Sequence, residues 1–178
     1  MHDRTPKAIL FDLDCTLTDR AATLARYAPV FVERFGPQLA GADCGRVVSA
    51  LAEVDGLGYR PRSECWAHLL DALPWRERPP APRELEQLWQ ERWPACAAAA
   101  ADVALVLGAL GRRGYRLGVI TNGPAASQER KVEAIGVRSA LTTVVVSGAV
   151  GVAKPDPAIF RLACDRVSVA PADAWFVG

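Results

Sequence analysis

Residues 8–19 read AILFDLDCTLTD, an apolar run that gives way to a polar loop carrying two carboxylates, Asp12 and Asp14. Unbroken apolarity over Ala8-Ile9-Leu10-Phe11 predicts a central strand covered on both faces, as in a parallel sheet. Strand side chains repeat with period two, so both carboxylates are expected to face one pocket where the strand runs out. Such a pair can divide labour, one as nucleophile and the other as proton donor and acceptor.

Beyond Asp19 the pattern turns helical for about 75 residues. Leu24, Tyr27, Phe31 and Phe35 fall at helical spacing, with Pro29 expected to kink or interrupt that helix. Asp43 can cap a second helix bearing Val47, Leu51 and Val54, with Gly56 as its stop. Trp66, Leu69, Leu70 and Leu73 form a third stripe ended by Pro74; Leu85, Leu88 and Trp89 form a fourth after Pro82. Between these two, RERPPAPRE reads as a stiff connector. The tryptophans 66, 75, 89 and 93 read as core of this helical region rather than as a stacking platform. His2 and His68 read as surface or packing residues.

From residue 102 strands and helices alternate. Residues 102–114 predict a helix, YRLGVI a strand ending at Thr121-Asn122-Gly123, SQERKVEAIG a helix and LTTVVVS a β-branched strand. Asp156-Pro157 supplies an N-cap and a proline at the first helical position for AIFRLACDRV, and AWFVG is a short apolar strand. The expectation is an α/β protein: a Rossmann-like parallel core from residues 1–18 and 96–178, with an all-helical insertion at 19–95.

Composition narrows the classes. The 178 residues are 51% hydrophobic and 23% charged, ordinary for a globular chain, and the net charge of +1 gives no reason to expect nucleic acid or a membrane surface. The five cysteines are scattered without Cys-x-x-Cys spacing, which fits free thiols in a reducing compartment. No segment reads as a secretory leader or a membrane span, so the expected location is the cytoplasm, as a monomer or homodimer.

Asp12 with Asp14, Thr121 with Asn122, and Lys154 all follow predicted strands, at whose carboxyl ends open α/β sheets bind ligands. Two carboxylates, a hydroxyl beside turn amides and one ammonium suit a phosphate ester bridged to a divalent cation. At these residues the chain closely resembles the haloacid dehalogenase superfamily. FDLDCTLTD is similar to its first motif, VITNG to its second, and Lys154-Pro155 to its third. The helical insertion resembles the family's small helical cap. The stretches VITNGPAASQERKVEAIG and GVAKPDPAIF resemble the branch containing pyrimidine nucleotidases and N-acylneuraminate-9-phosphatase.

The resemblance implies Asp12 as nucleophile and Mg²⁺ ligand, and Asp14 as general acid then base, with its main-chain carbonyl on the metal. It implies Thr121 and Lys154 as phosphate ligands, Asn122 on the substrate side and Thr16 as a brace of the first loop. Cys15 takes no nucleophilic role and Asp19 is a helix cap or loop brace. The implied activity is Mg²⁺-dependent hydrolysis of a small phosphorylated metabolite, a nucleotide or sugar phosphate. Its rivals are a phosphomutase, a 2-haloacid dehalogenase, which usually lacks the second aspartate, and a catalytically impaired phosphate-binding module. The family's fourth motif places an acidic residue directly after a strand like AWFVG. A third metal ligand is therefore expected just beyond Gly178, and with it the remaining helix and strand of the core, in a longer protein of which this chain is a part.

Overall fold

The computed structural model describes residues 5–41, 43–58 and 60–178, so His2 lies outside the described residues. In chain order the elements are β1 (Ala8–Phe11), β2 (Thr18–Asp19), α1 (Arg20–Phe35), α2 (Cys44–Asp55), α3 (Arg62–Ala72), α4 (Pro82–Arg92) and β3 (Ala98–Ala99). They continue with α5 (Val103–Arg112), β4 (Arg116–Thr121), α6 (Ala125–Ala134), β5 (Thr143–Val146), α7 (Ser147–Val150), α8 (Pro157–Arg166) and β6 (Ala174–Val177). The chain divides into two compact units, one of residues 5–19 with Ala99–Gly178 and one of Arg20–Ala98.

The first unit is an α/β fold around a parallel sheet of order β5-β4-β1-β6. Period two explains its double burial. Ile9 and Phe11 join Leu117, Val119, Val144 and Val146 in one cluster with Val103 and Leu107 of α5 and Val132 of α6. Ala8 and Leu10 face the other way, with Ile120 and Val145, onto Ile159, Ala163 and Cys164 of α8. Helices therefore cover both faces, which is why these strands carry no polar alternation. β4 and β5 lie on one side of β1 and β6 on the other, so strand order reverses at β1, the strand that leads into Asp12.

Gly118 sits inside β4 where no side chain fits. A Cβ there would stand 2.8 Å from Leu10 Cδ2 and 2.9 Å from Thr143 Cγ2. Gly118→Ala is expected to destabilise the unit by about 1–3 kcal/mol through overpacking. A urea unfolding midpoint reads this directly, and a loss under about 0.5 kcal/mol would mean that Leu10 and Thr143 move aside freely.

The second unit is helical, its core built from α1 to α4 with Tyr27, Phe31, Phe35, Trp66, Trp89 and Trp93 buried and Trp75 packed against them. Asp43 accepts a hydrogen bond from the Arg46 N–H at 2.7 Å, and Gly56 ends α2 in the left-handed conformation at φ 56°. Contrary to expectation, α1 runs unbroken through Pro29. Pro29 and Ala25, whose carbonyl loses its donor, both face solvent, so water can satisfy that carbonyl. The buried stripe Leu24-Tyr27-Ala28-Phe31-Phe35 holds the helix together across the proline. The exposed His68 places Nδ1 2.8 Å from the Glu64 carbonyl, one helical turn back, where the ring nitrogen is the donor.

No disulfide joins the five cysteines, all of which lie among the described residues. Burial pushes the Cys65, Cys96 and Cys164 thiols up, which keeps them protonated packing groups. Among the described residues no helix is long and apolar enough to cross a membrane.

Candidate active site

The first loop turns on a buried residue. Beyond β1 the Asp12 N–H still donates to the Val177 carbonyl at 2.8 Å, extending the sheet ladder by one residue. The carbonyl of the fully buried Leu13 then gathers the N–H groups of Leu17 and Thr18, each at 3.0 Å. The Thr18 hydroxyl accepts from the Cys15 N–H at 3.1 Å and donates to the Leu13 carbonyl at 3.3 Å. Thr18 thus braces the loop with a hydroxyl that reaches back across the turn, and the Thr16 N–H meets the same Leu13 carbonyl at 3.4 Å. Cys15 adopts φ 62°, a left-handed conformation that favours glycine, asparagine or aspartate over other residues.

This turn leaves both carboxylates beside cations. Asp12 Oδ1 accepts from its neighbour's main chain, the Leu13 N–H at 2.7 Å, and lies 2.6 Å from Lys154 Nζ. Asp14 is bracketed by Lys131, whose Nζ donates to Oδ1 at 2.8 Å and Oδ2 at 2.9 Å. Gln128 Nε2 donates to Asp14 Oδ2 at 3.0 Å and to Thr121 Oγ1 at 2.5 Å. Thr121, Gln128 and Lys131 are all buried, so polar groups that water has abandoned satisfy one another here.

The two following loops are tied together. Asn122 Nδ2 donates to the Lys154 carbonyl at 2.9 Å, and the Lys154 N–H donates to Asn122 Oδ1 at 2.8 Å. Both ends of the Asn122 amide therefore hold the main chain that presents Lys154. The Gly123 N–H donates to Ser147 Oγ at 2.9 Å, and the Gly148 N–H to the Gly123 carbonyl at 3.1 Å. A Cβ on Gly148 would stand 2.6 Å from that carbonyl, so the approach requires glycine. Lys154 Nζ also lies 5.3 Å from the centroid of Phe176 on β6. That strand delivers Gly178 to the same place, where a Cβ would be 2.5 Å from Asp12 Cβ.

Asp12, Asp14, Thr121, Asn122 and Lys154 are thus brought together by direct or one-residue links. Sequence reading passed over Gln128, Lys131, Thr18 and Ser147. One signal for Lys131 was available: the chain has lysine only at 7, 131 and 154, and each of the three pairs with an aspartate. The arrangement can offer a carboxylate nucleophile charge-balanced by one ammonium, and a second carboxylate two residues on with an ammonium of its own.

Residues 6–178 match the family model described as haloacid dehalogenase-like hydrolase. N-acylneuraminate-9-phosphatase of Homo sapiens is 29% identical over 186 residues, covering 97% of the chain and 73% of that protein. Phosphoserine phosphatase of Thermus thermophilus is 42% identical over 67 residues, covering 38% of the chain and only 27% of that protein. Among solved structures, CbbY from Rhodobacter sphaeroides in complex with phosphate superposes with a TM-score of 0.56 at 26% identity, covering 97% of this chain and 77% of that one.

Proposed function

The chain belongs to the haloacid dehalogenase-like hydrolases, and from that premise we propose that it is a cytoplasmic, Mg²⁺-dependent phosphatase of a small phosphomonoester, a nucleotide or sugar phosphate. The surroundings of Asp12 carry this reading. Lys154 and the Leu13 N–H both engage Oδ1, which leaves Oδ2 as the oxygen to attack phosphorus. The relatives named as phosphatases support the same reaction class. The helical unit corresponds, on this reading, to the family's cap.

In the first half-reaction Asp12 Oδ2 bonds to phosphorus, the ester bond breaks, and the leaving alcohol takes a proton from Asp14. In the second, Asp14 takes a proton from water, the resulting hydroxide attacks the aspartyl-phosphate, and phosphate leaves with Asp12 regenerated. Lys154 offsets charge on the transferring group, and Thr121 supplies a hydroxyl to its oxygens. The Asp12 carboxylate and the Asp14 main-chain carbonyl are hard oxygen donors that suit Mg²⁺, an ion that keeps several waters and shares phosphate oxygens. Among the described residues no group of three metal-ligating side chains occurs. Water and the substrate phosphate would supply further ligands in its shell. When bound, the ion screens repulsion between Asp12 and an incoming phosphate.

The test is phosphate release from nucleoside monophosphates and sugar phosphates by the full product of the gene, with Mg²⁺ and with chelator. Turnover is expected with Mg²⁺ and a fall of about 10²-fold or more in chelator. Undiminished activity in chelator overturns the metal requirement. No turnover on any substrate overturns the enzyme reading in favour of a phosphate-binding module.

A further inference from the structure

Two buried side chains of α6, Gln128 and Lys131, converge on Asp14, a residue more than a hundred positions earlier in the chain. Their i, i+3 spacing puts them on one helix face, and that face meets the first loop. A lysine only 8% exposed is costly unless its charge is met, and Lys131 meets both oxygens of Asp14. Because a carboxylate only accepts, the amide orientation of Gln128 is fixed by Asp14: Nε2 faces both it and Thr121. Thr121 Oγ1 is consequently an acceptor toward Gln128, and its own hydrogen is left to be donated elsewhere.

We propose that Lys131 and Gln128 are positioning residues that set the direction of the Asp14 carboxylate and of the Thr121 hydroxyl together, from one rigid helix. The inference rests on the phosphatase reading for its kinetic consequence. A proton donor that is misplaced by as little as about 1 Å loses much of its effect, and the loss falls on the step that needs the proton. Leaving groups that depart as stable anions need it least. Lys131 and Gln128 are given no contact with the substrate; they act through Asp14 and Thr121.

The experiment compares wild type, Lys131→Met and Lys131→Arg on phenyl, para-chlorophenyl and para-nitrophenyl phosphate. For Lys131→Met, kcat/KM, which reports only the steps up to aspartyl-phosphate formation, is expected to fall about 10²-fold on phenyl phosphate but less than about 10-fold on para-nitrophenyl phosphate, whereas kcat also carries the loss in the hydrolysis step that all three esters share. Lys131→Arg, which restores a cation, should recover part of the loss. Should Lys131→Met fail to fold, Gln128→Leu removes the amide without stranding a charge and should steepen the same leaving-group dependence. In the metal-free protein, one lysine ammonium resonance is expected to exchange slowly with solvent, to vanish in Lys131→Met and to collapse in Asp14→Asn. Equal losses of kcat/KM on all three esters, or a Lys131 ammonium that exchanges as fast as that of Lys7, overturn the proposal. A wild type inactive on every ester overturns the phosphatase reading, and the kinetic part of the proposal falls with it.

Discussion

Asp12→Asn is expected to lower turnover by on the order of 10⁴-fold or more while leaving the protein folded. Asparagine has the shape of aspartate, so its amide oxygen can still accept from the Leu13 N–H and Lys154, the two donors on Oδ1. What the variant lacks is an anionic oxygen able to bond to phosphorus and to leave again as a stable carboxylate. A mixed anhydride of aspartate and phosphate is reactive enough to be hydrolysed; the corresponding amide chemistry is not available. Acid-quenched wild type should accordingly carry one phosphoryl group by mass spectrometry during turnover, and the variant none. Thermal unfolding must be measured alongside, because Lys154 loses its counter-charge. Its side chain is only 16% exposed, so stranding the charge carries a stability cost that the unfolding measurement must separate from the loss of turnover. Activity of Asp12→Asn within about tenfold of wild type would discard the nucleophile assignment.

The sheet was legible because its strands obey a simple rule. Ile9 and Phe11 point into one cluster and Leu10 into the other, and both clusters are apolar, so the unbroken run AILF carries the signature of a strand with helices on both faces. Local capping chemistry was equally readable. Asp43 holds Arg46 N–H, and Asp156 holds Ala158 N–H, each within its own helix turn. The failures lie where burial overrides local preference. Pro29 is expected to kink or interrupt α1, yet the helix is not interrupted, and an apolar stripe on the opposite face retains it. The short helix α7 and the two-residue strands β2 and β3 are too brief for any periodicity to announce them.

The site divides along a similar line. Asp12, Thr121 and Lys154 stand at or after apolar strands and are visible from their position alone. Lys131 is not, because a lysine on an amphipathic helix ordinarily marks the solvent face. Here that lysine is buried and its partner lies on a distant loop, so only tertiary structure reveals the pairing. The contrast between Thr16 and Thr18 shows the finer limit. Both lie in one loop past the left-handed Cys15, and Thr18 meets the Leu13 carbonyl through its hydroxyl as well as its N–H, while Thr16 meets it through its N–H.

The helical unit carries the other large expected effect, at Asp55. This carboxylate is 3% exposed and accepts from Arg20 Nε at 2.5 Å, Arg20 Nη2 at 2.6 Å and Arg62 Nη1 at 3.2 Å. The guanidinium carbons lie over aromatic faces, Arg20 5.2 Å from Trp93 and Arg62 4.3 Å from Trp89. Asp55 closes α2 while Arg20 and Arg62 open α1 and α3, against the preference of helix dipoles, so the ion cluster rather than the dipoles holds these ends. Asp55→Asn strands two largely buried cations and is expected to cost about 3–5 kcal/mol at neutral pH. Tryptophan fluorescence reports this unit selectively, since four of the five tryptophans lie within it.

The pH dependence follows from the same contacts. Burial pushes the Asp55 carboxyl up, but the hydrogen bonds and charges of Arg20 and Arg62 together outweigh burial and hold it below its ordinary value of 3.8. A depressed folded-state pKa gives stability that is present above the ordinary value and is lost as pH falls through the depressed one. The gap between wild type and Asp55→Asn in urea should therefore stay constant from neutral pH down to about 4 and close only below it. A gap that closes already near pH 6, or that survives full acidification, would mean that the arginines stabilise this unit without the charge of Asp55.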